Sequence, residues 1–139
     1  MLFRSDLPGS ALQVLQATGL EQKLGIHVRH LSHGEKQALE LAMVLSLEPS
    51  VLLLDEPTAG LTKPERTLIG RILMELTGTH GLCILLVEHD LDFVREISSR
   101  VIVLHQGRIV LDGSVAEVVE SDLVRTIYAG GGTMDGGRA

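Results

Sequence analysis

An α/β fold of mostly parallel core strands, a C-terminal hairpin and flanking helices is what this sequence predicts, on three observations. Residues 51–54, Val-Leu-Leu-Leu, and residues 82–87, Leu-Cys-Ile-Leu-Leu-Val, are short continuous apolar runs. Such runs are the pattern of strands buried on both faces of a parallel sheet. Between them Leu68, Ile69, Ile72, Leu73 and Leu76 form one apolar stripe at helical spacing, the face of a helix that packs on that sheet. Both runs end in polar residues, Asp55-Glu56 and Glu88-His89-Asp90. Open α/β sheets bind ligands just beyond the carboxyl ends of their strands, so these ends mark the expected crevice.

Composition bounds the answer. With 139 residues, 45% of them hydrophobic, the chain is long enough for one domain with a real core, or for part of one. A net charge of −6 and scattered basic residues argue against a phosphate-tracking surface, so nucleic acid is not an expected partner. The single cysteine, Cys83, excludes an intrachain disulfide, and its place in an apolar run predicts a small buried hydrophobe in a reducing compartment. No apolar stretch approaches the roughly 20 residues that span a bilayer, and residues 1–10 lack a signal-peptide core. Any membrane connection therefore goes through a partner.

Taken in order, residues 1–10, with Pro8-Gly9, read as a leader or loop. Ala11, Leu12 and Leu15 begin a modest helix that Gly19 can stop, and a short helical or irregular segment follows over residues 21–30. Residues 31–37, Leu-Ser-His-Gly-Glu-Lys-Gln, open a helix whose apolar face is Ala38, Leu41, Ala42 and Leu45. A Ser followed by Gly at a helix start can turn exposed amides, a hydroxyl and the positive dipole end toward an anion. The same residues equally make an ordinary capping box, Ser32 with Glu35. After the first strand, Thr62 and Glu65 have capping-box spacing for the long helix, which ends near Gly78. Residues 91–98 predict a short helix with Leu91, Val94 and Ile97 inward. Residues 101–104 and 109–111, joined through Gln106-Gly107, predict a hairpin. Ser114 and Glu117 cap another helix, a last helical turn holds Leu123, Val124, Ile127 and Tyr128, and residues 130–139 form a glycine-rich tail expected to be disordered.

Two acids at a strand end admit a division of labour. One carboxylate can hold Mg²⁺ or its water shell while the other orients or deprotonates an attacking water, as nucleoside triphosphate hydrolysis requires. A strand ending in a solvated acidic turn fits Asp55-Glu56 as well, and His89 alone reads equally as a loop residue.

Three motifs then stand in one order: Leu-Ser-His-Gly-Glu at 31–35, Leu-Leu-Leu-Asp-Glu-Pro-Thr at 52–58, and Val-Glu-His-Asp at 87–90. Together they resemble the ATPase subunits of ABC transporters, over residues 11–130. The resemblance implies the C-terminal portion of a P-loop NTPase domain. By it, residues 11–48 are the remnant of a helical subdomain carrying the signature motif, and residues 49–129 are the C-terminal part of the ATPase core. It further implies that Asp55 supports Mg²⁺, that Glu56 polarises the attacking water and that His89 senses the γ-phosphate of ATP. Ser32, His33, Gly34 and Glu35, the signature, would face ATP held by an opposite ATPase subunit, identical or not, and Gly60, Leu61 and Thr62 would form the D-loop. The implied partners are that second subunit, transmembrane permease subunits and, through the complex, a periplasmic or extracellular substrate-binding protein. The implied location is the cytoplasmic face of the plasma membrane.

Within the family the sequence is most similar to importers of urea and of branched-chain amino acids, on Ala-Gly-Leu-Thr at 59–62, Val-Glu-His-Asp-Leu-Asp-Phe-Val at 87–94, Val-Leu-His-Gln-Gly at 103–107 and Val-Arg-Thr-Ile-Tyr at 124–128. His33, Glu35 and Thr62 depart from the commonest family pattern as that branch does. A carboxylate at Glu35 is compatible with a nearby phosphate only if it turns away or caps the helix.

A P-loop needs Gly-Lys followed by Ser or Thr, and no Gly-Lys dipeptide occurs in these 139 residues. By resemblance the adenine-stacking aromatic and the glutamine loop also lie before residue 1. The expectations are a marginal, aggregation-prone chain with exposed strand edges, and no tight MgATP binding by the chain alone. A non-enzymatic reading remains beside the ATPase: a gene fragment, or a half that donates only its signature helix in trans. DNA-repair and chromosome ATPases share the signature and Walker B chemistry, but the Glu-Pro-Thr at 56–58, the acidic charge and the absence of heptads stand against them.

Overall fold

Two β-strands of five residues, β1 (Val51–Asp55) and β2 (Cys83–Val87), carry the N-terminal part of the molecule, in a computed structural model that describes residues 7–130. The expected leader and glycine-rich tail lie largely outside those residues. The strands pair in parallel, in the register Val51 with Cys83 through Asp55 with Val87, so their carboxyl ends finish level. The chain divides between His89 and Asp90 into two units, described separately below.

In the first unit α1 (Gly9–Ala17) starts two residues before the apolar pattern does, and Gly19, with φ of 72°, turns the chain into a short 3₁₀ segment. α2 (His33–Leu45) begins at the N-cap Ser32, and its Ala38, Leu41, Ala42 and Leu45 are buried as the spacing predicts. α3 (Lys63–His80) begins at Thr62, buries Ile69, Ile72, Leu73 and Leu76, and ends on Gly81 in the left-handed conformation. α1 packs on α2 and α3, and Val14, Leu45, Leu52, Ile72 and Leu76 form the densest burial.

The strands depart from expectation on one face. Leu52 is buried, but Leu53 is 69% and Leu85 57% exposed, and Val51 and Val87 stand open beside them. The strands were expected to be covered on both sides; helices cover one side only, and alternate residues of a strand point to opposite faces. Cys83 is corrected for the same reason. It stands at an exposed position of the alternation and is a solvent-facing thiol rather than a buried hydrophobe.

In the second unit α4 (Leu91–Ile97) is capped by Asp90, whose Oδ1 accepts from the amides of Asp92 and Phe93, both at 3.1 Å. Phe93 is its buried residue, while the expected Leu91, Val94 and Ile97 are half-buried. A two-turn helix inserts one side chain deeply, and the phenyl ring is the largest it offers. β3 (Arg100–His105) and β4 (Arg108–Ser114) form the expected antiparallel hairpin. Gln106 and Gly107 have φ of 49° and 75°, the two positive values that a tight two-residue turn requires. Arg100 binds Asp112 through two hydrogen bonds of 2.8 Å across the ladder, which helps to hold the register. α5 (Val115–Glu120) starts at the capping box of Ser114 and Glu117, and α6 (Asp122–Gly130) follows; Val103, Val118 and Val124 form the core. Among the described residues no helix is long and apolar enough to cross a membrane.

Candidate nucleotide site

Parallel pairing sets the geometry. Because Asp55 lies level with Val87, the residues that follow each strand, Glu56 and Glu88-His89, leave the sheet side by side. The Glu56 amide donates to the Val87 carbonyl at 2.9 Å, extending the ladder by one bond, and Glu56 then takes φ of 44°. A non-glycine residue in that region carries strain of about 1–3 kcal/mol, which persists only where surrounding bonds impose it. Those bonds are visible: Ala59 N–H donates to the Glu56 carbonyl at 3.0 Å and Leu61 N–H to the Thr58 carbonyl at 3.1 Å.

The strained turn aims the Glu56 carboxylate at His89, with Nδ1 to Oε1 at 3.2 Å. Both side chains are exposed, so the pair adds little to stability. Its content is chemical. An ionised carboxylate only accepts, so the bond places a proton on Nδ1 and leaves Nε2 for another partner. Asp55 is exposed at the strand end on the open face. Among the described residues no three His, Cys, Asp or Glu side chains are grouped to hold a metal. A lone exposed carboxylate nevertheless suits Mg²⁺, which keeps several waters and takes its remaining ligands from substrate phosphates.

A second cluster forms where α2 and α3 begin. Ser32 is exposed, its Oγ accepts from the Glu35 amide at 3.2 Å, and its amide donates to Glu35 Oε2 at 2.9 Å. The Glu35 carboxylate also pairs with Lys23, so it serves as the cap that a nearby phosphate would require of it. The Lys23 ammonium first, and then the Ser32 amide, hold that carboxyl below the usual glutamate range. His33 Nε2 lies 3.1 Å from the Ala59 carbonyl. Gly34 lies against the Glu65 side chain, which caps α3 through the Thr62 amide and hydroxyl at 2.9 and 2.7 Å. A Cβ on Gly34 would come within 2.4 Å of Glu65 Oε1. Residues 32–35 and 60–62 thus share one surface, with Leu61 as its buried anchor, while Glu56 and His89 make a separate pair.

Sequence reasoning missed one contact that shapes the site. Thr58 is 5% exposed, and its Oγ1 donates to Glu88 Oε1 at 2.6 Å while its amide reaches the same oxygen at 3.3 Å. This bond ties the turn after β1 to the residue after β2. The two apolar runs, aligned at their acidic ends, would have put Glu88 near that turn.

Comparison with known proteins agrees with the motif order. Residues 8–59 match the family described as ABC transporter. Over 106 residues the chain is 42% identical to a methionine import ATP-binding protein, MetN, of Protochlamydia amoebophila, a match covering 76% of this chain and 31% of that protein. It is 34% identical to the high-affinity branched-chain amino acid transport ATP-binding protein LivG of Salmonella typhimurium, over 91% of this chain and 50% of LivG. Its fold is similar to that of MJ1267, an ATP-binding cassette of an ABC transporter in its ADP conformation, with a TM-score of 0.77 at 26% identity, covering 87% of this chain and 49% of that one. It is also similar to cbiO1 of Clostridium perfringens, part of the transporter complex cbiONQ, with a TM-score of 0.73 at 33% identity, over 93% and 52% of the two chains. The chain spans half or less of the length of these curated relatives. Motif order, matched residues and shared architecture together identify this sequence as part of an ABC transporter ATP-binding domain, with the P-loop NTPase fold of the known cassettes.

Proposed function

We propose that this sequence supplies the hydrolytic acids and the signature helix of an ABC importer ATPase, which couples ATP hydrolysis at a dimer interface to transport. The observation that carries the reading is the 3.2 Å contact of Glu56 with His89 at the level carboxyl ends of two parallel strands. In it Glu56 accepts a proton from, or orients, the attacking water, and His89 positions Glu56 through Nδ1–H; only a ring protonated on both nitrogens would also donate from Nε2 to the terminal phosphate. Asp55 is the residue that would hold Mg²⁺, directly or through water; the ion, when bound, neutralises charge developing on the phosphates. Ser32 and Gly34 would meet nucleotide held by an opposite ATPase subunit, with His33, Glu35, Gly60, Leu61 and Thr62 at the same interface. Residues 11–48 act as part of a helical subdomain and residues 49–129 as part of the ATPase core. The whole would sit on the cytoplasmic side, bound to permease subunits that receive cargo from a binding protein. Likeness to LivG favours branched-chain amino acids as cargo, and the motif variants favour urea.

The test is steady-state ATP hydrolysis by the protein that carries this sequence. Glu56→Gln keeps shape and removes the base, so turnover is expected to fall by about 10²- to 10⁴-fold. Unchanged turnover removes Glu56 from the role. A second reading, favoured by Ser32 standing exposed at the start of α2, is a chain that donates only its signature helix in trans. In that case Glu56→Gln is silent and Ser32→Ala lowers the turnover of the partner.

A further inference from the structure

We infer that His33 is a positioning residue that acts within its own chain, tethering the start of α2 to the turn after β1, rather than a side chain that reaches nucleotide. A carbonyl oxygen only accepts, so the 3.1 Å contact with Ala59 O requires the proton on Nε2. In the neutral ring that N–H is spent, and Nδ1 remains as an acceptor, which cannot serve a phosphate. The fit around the ring is close. Gly60 has φ of 74°, and a Cβ there would lie 3.2 Å from His33 Nε2 and 3.3 Å from its Cδ2. Gly60 therefore allows both the left-handed turn and the approach of the imidazole.

The tether lies beside a second lock. One residue along, Gly34 packs under Glu65, whose carboxylate holds the first turn of α3 and is depressed chiefly by the Thr62 hydroxyl. His33 to Ala59 and Gly34 to Glu65 thus fasten one helix start to the segment that begins the next. An adjustment at residues 59–62 is transmitted to Ser32 through hydrogen bonds and van der Waals contact, so the two nucleotide-facing segments of the proposed interface move together. The significance of the tether rests on the proposed function, but its test uses no nucleotide, so failure of one is distinguishable from failure of the other.

The test is made on the full chain. Long-range ¹H–¹⁵N spectra of the His33 ring should show the proton on Nε2; a ring protonated only on Nδ1 overturns the inference, and this measurement needs no variant. Amide hydrogen exchange then reads the coupling. His33→Ala should raise exchange at Ala59, Leu61 and Lys36 by about 3- to 10-fold while the β1–β2 ladder stays protected. His33→Gln, which keeps an N–H donor of similar reach, should restore most of the protection. Unchanged exchange at Ala59 and Leu61 in His33→Ala, or no rescue by Gln, refutes the tether.

Discussion

Thr58→Val isolates the bond that joins the two strand ends. Valine matches the shape of threonine and opens no cavity at this buried site, so the change removes one hydroxyl and little else. What is lost is a 2.6 Å hydrogen bond to the Glu88 carboxylate. Hydrogen bonds to charged groups contribute about 1.5–3 kcal/mol, and the half-buried carboxylate regains part of that from water, which leaves about 1–2 kcal/mol. In urea this moves the unfolding midpoint down by roughly 0.5–1 M, read by circular dichroism at 222 nm. Thr58→Ser is the control, since it keeps the hydroxyl and loses a methyl group worth less. A midpoint unchanged in Thr58→Val, or a serine variant weaker than the valine one, would falsify the assignment of this bond as the latch.

Two further outcomes follow from the electrostatics and the open face. The capping glutamates Glu35, Glu65 and Glu117 are all held below the usual range, the first mainly by Lys23 and the others by the hydroxyls of Thr62 and Ser114. A lowered folded-state pKa gives stability that is present above the ordinary glutamate range and disappears as pH falls through the lowered values. The stability gap between the wild type and a Glu35→Gln, Glu65→Gln, Glu117→Gln variant should therefore narrow on acidification, measured by urea titration at several pH values; a gap that widens contradicts the capping argument. The chain is expected to self-associate through its open sheet face, and Leu53→Lys with Leu85→Lys to make it monodisperse with the same far-ultraviolet spectrum, because both side chains stand in solvent on that face. Analytical ultracentrifugation showing identical species for the two proteins argues against that face as the cause.

Local signals carried the elements. The capping pairs Ser32 with Glu35, Thr62 with Glu65 and Ser114 with Glu117 each mark a helix start, because a hydroxyl three residues before a carboxylate satisfies amides that no helix can satisfy itself. Gln106-Gly107 marked the hairpin turn through the positive φ it can adopt. Burial was less legible. Apolar runs show that a strand prefers cover without showing what covers it, so Leu53, Leu85 and Cys83 were expected inside and stand outside. Phe93 lies off the stripe of Leu91, Val94 and Ile97, so helical spacing does not mark it as the residue this short helix buries.

The linear order of residues determined which groups end each strand and begin each helix, since those outcomes depend on neighbours three or four positions away. Two strands ending alike already pointed His89 toward Glu56, and the register set their 3.2 Å contact; tertiary structure alone decided that Thr58 binds Glu88 and that His33 binds Ala59, at separations of 30 and 26 residues. Such contacts depend on strand register and on where helix starts come to rest, which packing of the whole chain sets and no local pattern encodes.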